Sequence, residues 1–138
     1  MFRIRWQTGL SIFVFGLSLV LYLLTLEPTV SFWDCGEFIA CAAKLEVSHP
    51  PGAPLHALLG RLFVIFFGAN HAAIAVNVLS AVASALTVML IYLTLVQLLQ
   101  HGILRLRQCY SKIIIHGASL FGAFCFAVTD SFWFSAVE

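Results

Sequence analysis

Charge is what this sequence has least of: seven Lys and Arg and six Asp and Glu among 138 residues, or 9%, against about 25% in an average soluble domain. The basic residues are scattered rather than gathered in a stripe, and the formal net charge is +1, which excludes nucleic acid as a partner. Cysteine is also sparse. Cys35, Cys41, Cys109 and Cys125 form no Cys-x-x-Cys pair, and their spacings suit neither a zinc ribbon nor a disulfide framework. Cys35 and Cys41 fall on different sides of one expected helix, so all four read as packing residues.

What is abundant is apolar surface. The chain is 62% hydrophobic with a mean hydropathy of +1.02, more than a water-soluble core of this size can hide. The expected fold class is therefore all-α integral membrane, with three transmembrane helices and two short interfacial helices in the first outer loop. Residues 7–26 carry no charge and match the ~20 residues needed to cross hydrocarbon. Arg3 and Arg5 before them would also suit a signal peptide, but the apolar run is long for one and no small-x-small cleavage site precedes Glu27. An uncleaved anchor is expected. Residues 72–99 form the second span, with small residues crowding the first half for helix packing and a more lipid-facing second half. Residues 113–129, which include His116, form the third.

Sidedness follows from two independent charge counts. Arg3 and Arg5 precede the first span, and Arg105, Arg107 and Lys112 lie in loop 100–112 between the second and third, so five of the seven basic residues share one side, expected to be cytoplasmic. Glu27, Asp34, Glu37, Glu46, Asp130 and Glu138, all six acids, fall on the other. With no acid inside the hydrocarbon, an ion or proton carrier is disfavoured. Phe32, Trp33, Phe132 and Trp133 stand at outer span ends, as an interfacial aromatic belt would.

The outer loop, 27–71, is too apolar for a linker and should fold against the membrane. Ser31-x-x-Asp34 has the form of a capping box opening one short helix. His49-Pro50-Pro51-Gly52 breaks that helix, and Pro54 suits the first turn of a second, ended by Gly68-Ala69-Asn70.

Candidate chemistry lies in this loop. Asp34 and Glu37, three apart, share a helix face. Two adjacent acids raise one pKa by repulsion, which suits a general base; Asp34 as a plain helix cap and Glu37 as a solvated first-turn acid fit the spacing equally. His49, His56 and Arg61 around the proline elbow suit an anionic phosphate, or Arg61 snorkels toward headgroups in general. Asp34, Glu37, His49 and His56 match no metal motif, so no metal site is assigned, and the need for a divalent metal stays open.

Three features in order, Asp34-x-Gly36-Glu37, a helix, then His49-Pro-Pro-Gly52 with Pro54 following, lie in the run 26–62, which resembles the N-terminal segment of a family of polytopic glycosyltransferases. These are bacterial proteins of a domain-of-unknown-function family related to the animal transmembrane-protein-260 O-mannosyltransferases. The tail FWFSAVE, 132–138, also looks like a stretch of that family. The resemblance implies the N-terminal part of a GT-C fold, with an active site on the outer face. It implies a mannose-like sugar on a polyprenyl or dolichyl phosphate as donor substrate, a protein hydroxyl or glycan as acceptor, and no certain cofactor. Asp34 then takes the catalytic position, with Glu37 as its neighbour or substitute. Assigning His49, His56 and Arg61 to the lipid phosphate goes beyond the resemblance and rests on their chemistry; Glu138 is expected at the substrate.

Family members have many more spans, so these 138 residues are expected to be a fragment of one membrane region, inactive alone and partnered by lipids and the remaining helices of the parent protein. The bacterial inner membrane is the expected location, or the endoplasmic reticulum in a eukaryotic cell. A competing reading is a non-catalytic small subunit that braces a larger complex, which the small residues of the second span fit equally.

Overall fold

The computed structural model describes residues 2–30, 34–50, 52–104 and 112–138, and the side chains of all of these except 2–5 and 101–104. Arg3, Arg5, Arg105, Arg107, Cys109, Ser31, Phe32 and Trp33 are among the positions whose side chains lie outside that description. The chain forms α1 (Phe2–Leu24), α2 (Cys35–Lys44), α3 (Pro54–Phe67), a 3₁₀ turn (Ala69–His71), α4 (Ala72–Leu104), α5 (Lys112–Ala127) and α6 (Asp130–Val137), with no strand among the described residues.

Two helices are long and apolar enough to cross a bilayer, over Trp6–Leu24 and Ala69–Gln100. The third expected span, 113–129, is not one straight helix. α5 stops at Ala127 and α6 leaves it at 67°. At 16 residues and about 1.5 Å per residue, α5 covers about 24 Å, short of a hydrocarbon core of about 30 Å. Thr129 is extended, and Asp130 opens the first turn of α6; turning there spares the carboxylate a place deeper in hydrocarbon.

α4 is the centre of the bundle, packing against α1, α3, α5 and α6. Its buried stripe, Ala81, Ala85, Val88, Tyr92 and Val96, recurs at helical spacing. Val14, Ser18 and Tyr22 of α1 and Ser119, Ala123 and Ala127 of α5 present matching stripes. The small side chains let backbones approach where no hydrophobic drive separates protein from lipid. The stripe runs through both halves of α4, so the expected lipid-facing second half is lipid-facing only on the side of residues such as Leu90 and Leu98.

Polar pins fix the register. The Tyr92 hydroxyl and His116 Nδ1 meet at 2.8 Å between α4 and α5. Tyr22 donates to the Ala127 carbonyl at 3.0 Å, satisfying an acceptor that the α5–α6 break strips of its helical partner. Replacing Tyr22 with Phe is expected to cost about 1 kcal/mol, in the range of hydrogen bonds measured between membrane helices. Thermal melting in detergent, scored against the wild type, measures this; an unchanged midpoint would mean that Ala127 finds another donor.

The aromatic residues after α5 do more than line an interface. Phe132 packs on Phe126 and Tyr22, with ring centroids 4.4 and 6.4 Å away, and Trp133 Nε1 donates to Thr25 Oγ1 at 3.2 Å. At the same end Asn77, buried near the start of α4, donates to the carbonyls of Glu27 and Thr29, and the Glu27 amide donates to Val137 O at 3.0 Å. α6, the loop after α1 and the start of α4 are thus tied together beside α2 and α3. α3 turns Gly60 and Val64 inward and leaves Leu58, Leu62, Ile65 and Phe66 exposed, an apolar face that lipid covers without penalty.

Candidate active site

α2 begins at Cys35, and Asp34 occupies its N-cap position; the Ser31 half of the expected capping box lies outside the described residues. Asp34 lies at the N-cap, yet its side chain makes no capping hydrogen bond, and the residue is exposed. One turn on, Glu37 reaches the elbow. Its Oε1 accepts the His49 backbone N–H at 2.5 Å and its Oε2 lies 2.8 Å from His49 Nδ1. Donor atoms of Asp34, Glu37 and His49 all fall within 4.8 Å of one another, close enough to share one cation if the Glu37–His49 bond were exchanged.

The elbow is built to deliver His49. The Gly52 amide donates to the His49 carbonyl at 2.8 Å, closing a tight turn, and Gly52 sits at φ +75°, a conformation that any side chain would strain. Phe38, one residue beyond Glu37, lies between the two histidine rings, 6.5 Å from His49 and 5.4 Å edge-on from His56. Phe38 was not a sequence candidate. Its place four residues after Asp34, on the same helical face, was the available signal.

The electrostatics differ from a repelling acid pair. Glu37 is pushed below the ordinary carboxylate value, first by the backbone N–H of His49 and then by its ring, which together outweigh the cost of desolvation. His49 is raised above 6.5, chiefly by its hydrogen bond to Glu37. Burial pushes His56 down, so near neutral pH it offers a hydrogen bond rather than a charge. The Cys35 thiol is pushed up by burial and then by Glu138, with Sγ 3.6 Å from Glu138 Oε2.

The two shifts define a pH window. A depressed Glu37 contributes stability above its ordinary 4.5 that is lost as pH falls through its folded value; a raised His49 contributes below its ordinary 6.5 and loses it as pH rises through its folded value. The elbow should therefore be held best between about pH 4.5 and 6.5 and loosen above. NMR titration of the His49 ring should give a midpoint above 6.5 that moves down in Glu37→Gln; a midpoint unaffected by the substitution would refute the pairing.

The other sequence candidates divide. Glu138 arrives beside Cys35 at the start of α2. Arg61 does not join the acids. Its Nη1 donates to the Ala43 carbonyl, at the far end of α2, where the last turn leaves carbonyls without helical partners. Leu45, in the left-handed region at φ 57°, and Glu46 close the same end by donating to Cys41 O. Among the described cysteines Cys41 is buried, Cys35 is partly buried and Cys125 is exposed, and none is in a disulfide.

α2 holds this geometry because it packs closely on α3. Ile39 and Ala42 join Val64, Ala75 and Val76 in a small core separate from the main stripe. At the crossing, a Cβ placed on Gly60 would stand 2.8 Å from the Ala42 Cβ, so only glycine fits.

The family model described as the Protein O-mannosyl-transferase TMEM260 N-terminal domain matches residues 34–138. The chain is similar to the Protein O-mannosyl-transferase TMEM260 of Mus musculus, 34% identical over 96 residues, which are 67% of this chain and 14% of that protein. It is also similar to the Protein O-mannosyl-transferase tmem260 of Dictyostelium discoideum, 27% identical over 121 residues, 86% of this chain and 13% of that protein. The chain thus spans about one seventh of the length of these relatives. No solved structure matches it. The matched stretch opens on Asp34 and takes in Glu37, the elbow, the α2–α3 crossing and the tail, and this chain belongs to the family of TMEM260 N-terminal domains.

Proposed function

We propose that this chain supplies the acidic end of the active site in a GT-C-type glycosyltransferase. The enzyme moves a mannose-like sugar from a polyprenyl or dolichyl phosphate to a protein hydroxyl or a glycan. The observation that carries the reading is Asp34: a carboxylate at a helix N-cap that does not cap, exposed beside the Glu37–His49 pair. The relatives' description as protein O-mannosyl-transferases supports it.

In this reading the acceptor hydroxyl gives its proton to the Asp34 carboxylate as its oxygen bonds the anomeric carbon. The bond from that carbon to the phosphate oxygen breaks, and its electron pair leaves with the lipid phosphate. His49, held toward its charged form by Glu37, offers positive charge to that leaving group, and His56 a neutral hydrogen bond. Arg61, engaged at the far end of α2, serves the fold. Glu138 borders the site through Cys35. The acidic end faces the periplasm or the lumen of the endoplasmic reticulum, with the N-terminus cytoplasmic.

The test is transfer of labelled mannose to a serine- and threonine-containing peptide by membranes carrying the protein expressed from its complete gene. Lipid-phosphate mannose should serve as donor, and GDP-mannose should not when lipid-linked sugar synthesis is blocked. Direct use of the nucleotide sugar would overturn the proposed donor class.

A further inference from the structure

We infer that Asp34 and Glu37 divide their work: Glu37 is a positioning residue that latches the 49–52 elbow onto α2, and Asp34 is the carboxylate left to meet the acceptor. This rests on the reading above and goes beyond it by giving the two acids different tasks.

The geometry separates them. Both Glu37 oxygens are engaged by a single residue, one by the His49 backbone N–H and one by its ring. A carboxylate gripping two N–H donors has its charge stabilised and is a poorer proton acceptor than an unengaged one. Asp34, less than one helical turn away, makes no capping bond to its own helix. The latch also determines which way His49 works. With Nδ1 turned to Glu37, Nε2 is the nitrogen that remains for a substrate. The turn is held from both sides, since His49 O accepts from Gly52 while its N–H and ring bond Glu37, and Phe38 backs the rings of His49 and His56. Releasing Glu37 would free the elbow at the point where it carries His49 toward Asp34.

The experiment uses the protein expressed from its complete gene and two readouts. The first is independent of activity: hydrogen exchange over residues 46–53. Exchange should quicken about tenfold or more in Glu37→Ala, less in Glu37→Gln, which keeps one acceptor oxygen, and not at all in Asp34→Asn. Unchanged exchange in Glu37→Ala would overturn the latch, whatever the enzyme's activity.

The second readout is kinetic. Glu37→Gln should lower kcat about tenfold and keep the acid limb of the pH profile, whereas Asp34→Asn should remove that limb with a far larger loss. The double variant Glu37→Gln/His49→Gln should lose no more than the worse single one, because the two residues act as a unit. Loss in Glu37→Gln as deep as in Asp34→Asn, with the acid limb gone, would make Glu37 the base and overturn the division. Activity abolished by a chelator and restored by Mn²⁺ would make Glu37 and His49 metal ligands and overturn it as well. Failure of wild-type transfer from every lipid-linked donor tests the functional reading alone and leaves the exchange result to decide the latch.

Discussion

Asp34→Asn is expected to reduce sugar transfer by about 10²- to 10⁴-fold, the range that a positioned general base contributes, with most of the loss in kcat. Asparagine keeps the shape and the acceptor oxygen but cannot take a proton, so binding of donor and acceptor should change little while the transition state loses its base. The fold should tolerate the change, because Asp34 makes no capping hydrogen bond whose removal would weaken α2. That separates it from an ordinary N-cap, where losing the side-chain acceptor costs about 1 kcal/mol. Transfer assays at matched expression, with a melting measurement on the same preparations, decide the matter. Full activity in the variant would remove Asp34 from the chemistry, and no transfer by either form would favour a non-catalytic subunit that braces a larger complex.

The largest structural effect is expected from one methyl group at the α2–α3 crossing. Gly60→Ala sets two rigid Cβ atoms 2.8 Å apart unless the helices separate, and neither atom belongs to a flexible side chain that can swing away. Overpacking of this kind costs about 1–3 kcal/mol. Because α2 carries Asp34 and Glu37, its displacement should lower transfer as well as the melting temperature. Ala42→Gly placed on top of Gly60→Ala removes the opposing methyl group and should recover much of both losses, a coupling that a double-mutant cycle measures directly. Additive losses in the double variant would show that the damage lies in helix propensity and not in the crossing.

Several elements were legible in the sequence because their causes are local. Charge-free runs long enough for hydrocarbon predicted α1 and α4, and Pro54 and Gly68 bounded α3 as found, since proline suits a first turn and Gly68 adopts φ +87°. The start of α2 was less legible: the described helix begins at Cys35 with Asp34 at its N-cap, a boundary that depends on how its inner face meets α3 and α4. The third apolar stretch was found as α5, but hydropathy over 113–129 did not register the bend that follows it, where an extended Thr129 leads into Asp130 and Tyr22 satisfies the Ala127 carbonyl.

The site divides along the same line. Asp34 and Glu37 could be placed on one helical face from their spacing, and His49 marked beside a proline elbow, because helix periodicity and turn chemistry act over a few residues. Which partner each acid meets is a long-range matter. Glu37 and His49 are twelve residues apart, Arg61 and Ala43 eighteen, and Cys35 and Glu138 one hundred and three. The sequence by itself determined an all-α membrane protein, because long apolar runs without charge belong in hydrocarbon whatever the fold. Only the tertiary structure decided that Glu37 grips the elbow, that Arg61 serves the far end of α2 and that Asp34 does not cap its helix, because hydrogen-bond partners are settled by packing between segments that sequence spacing does not encode.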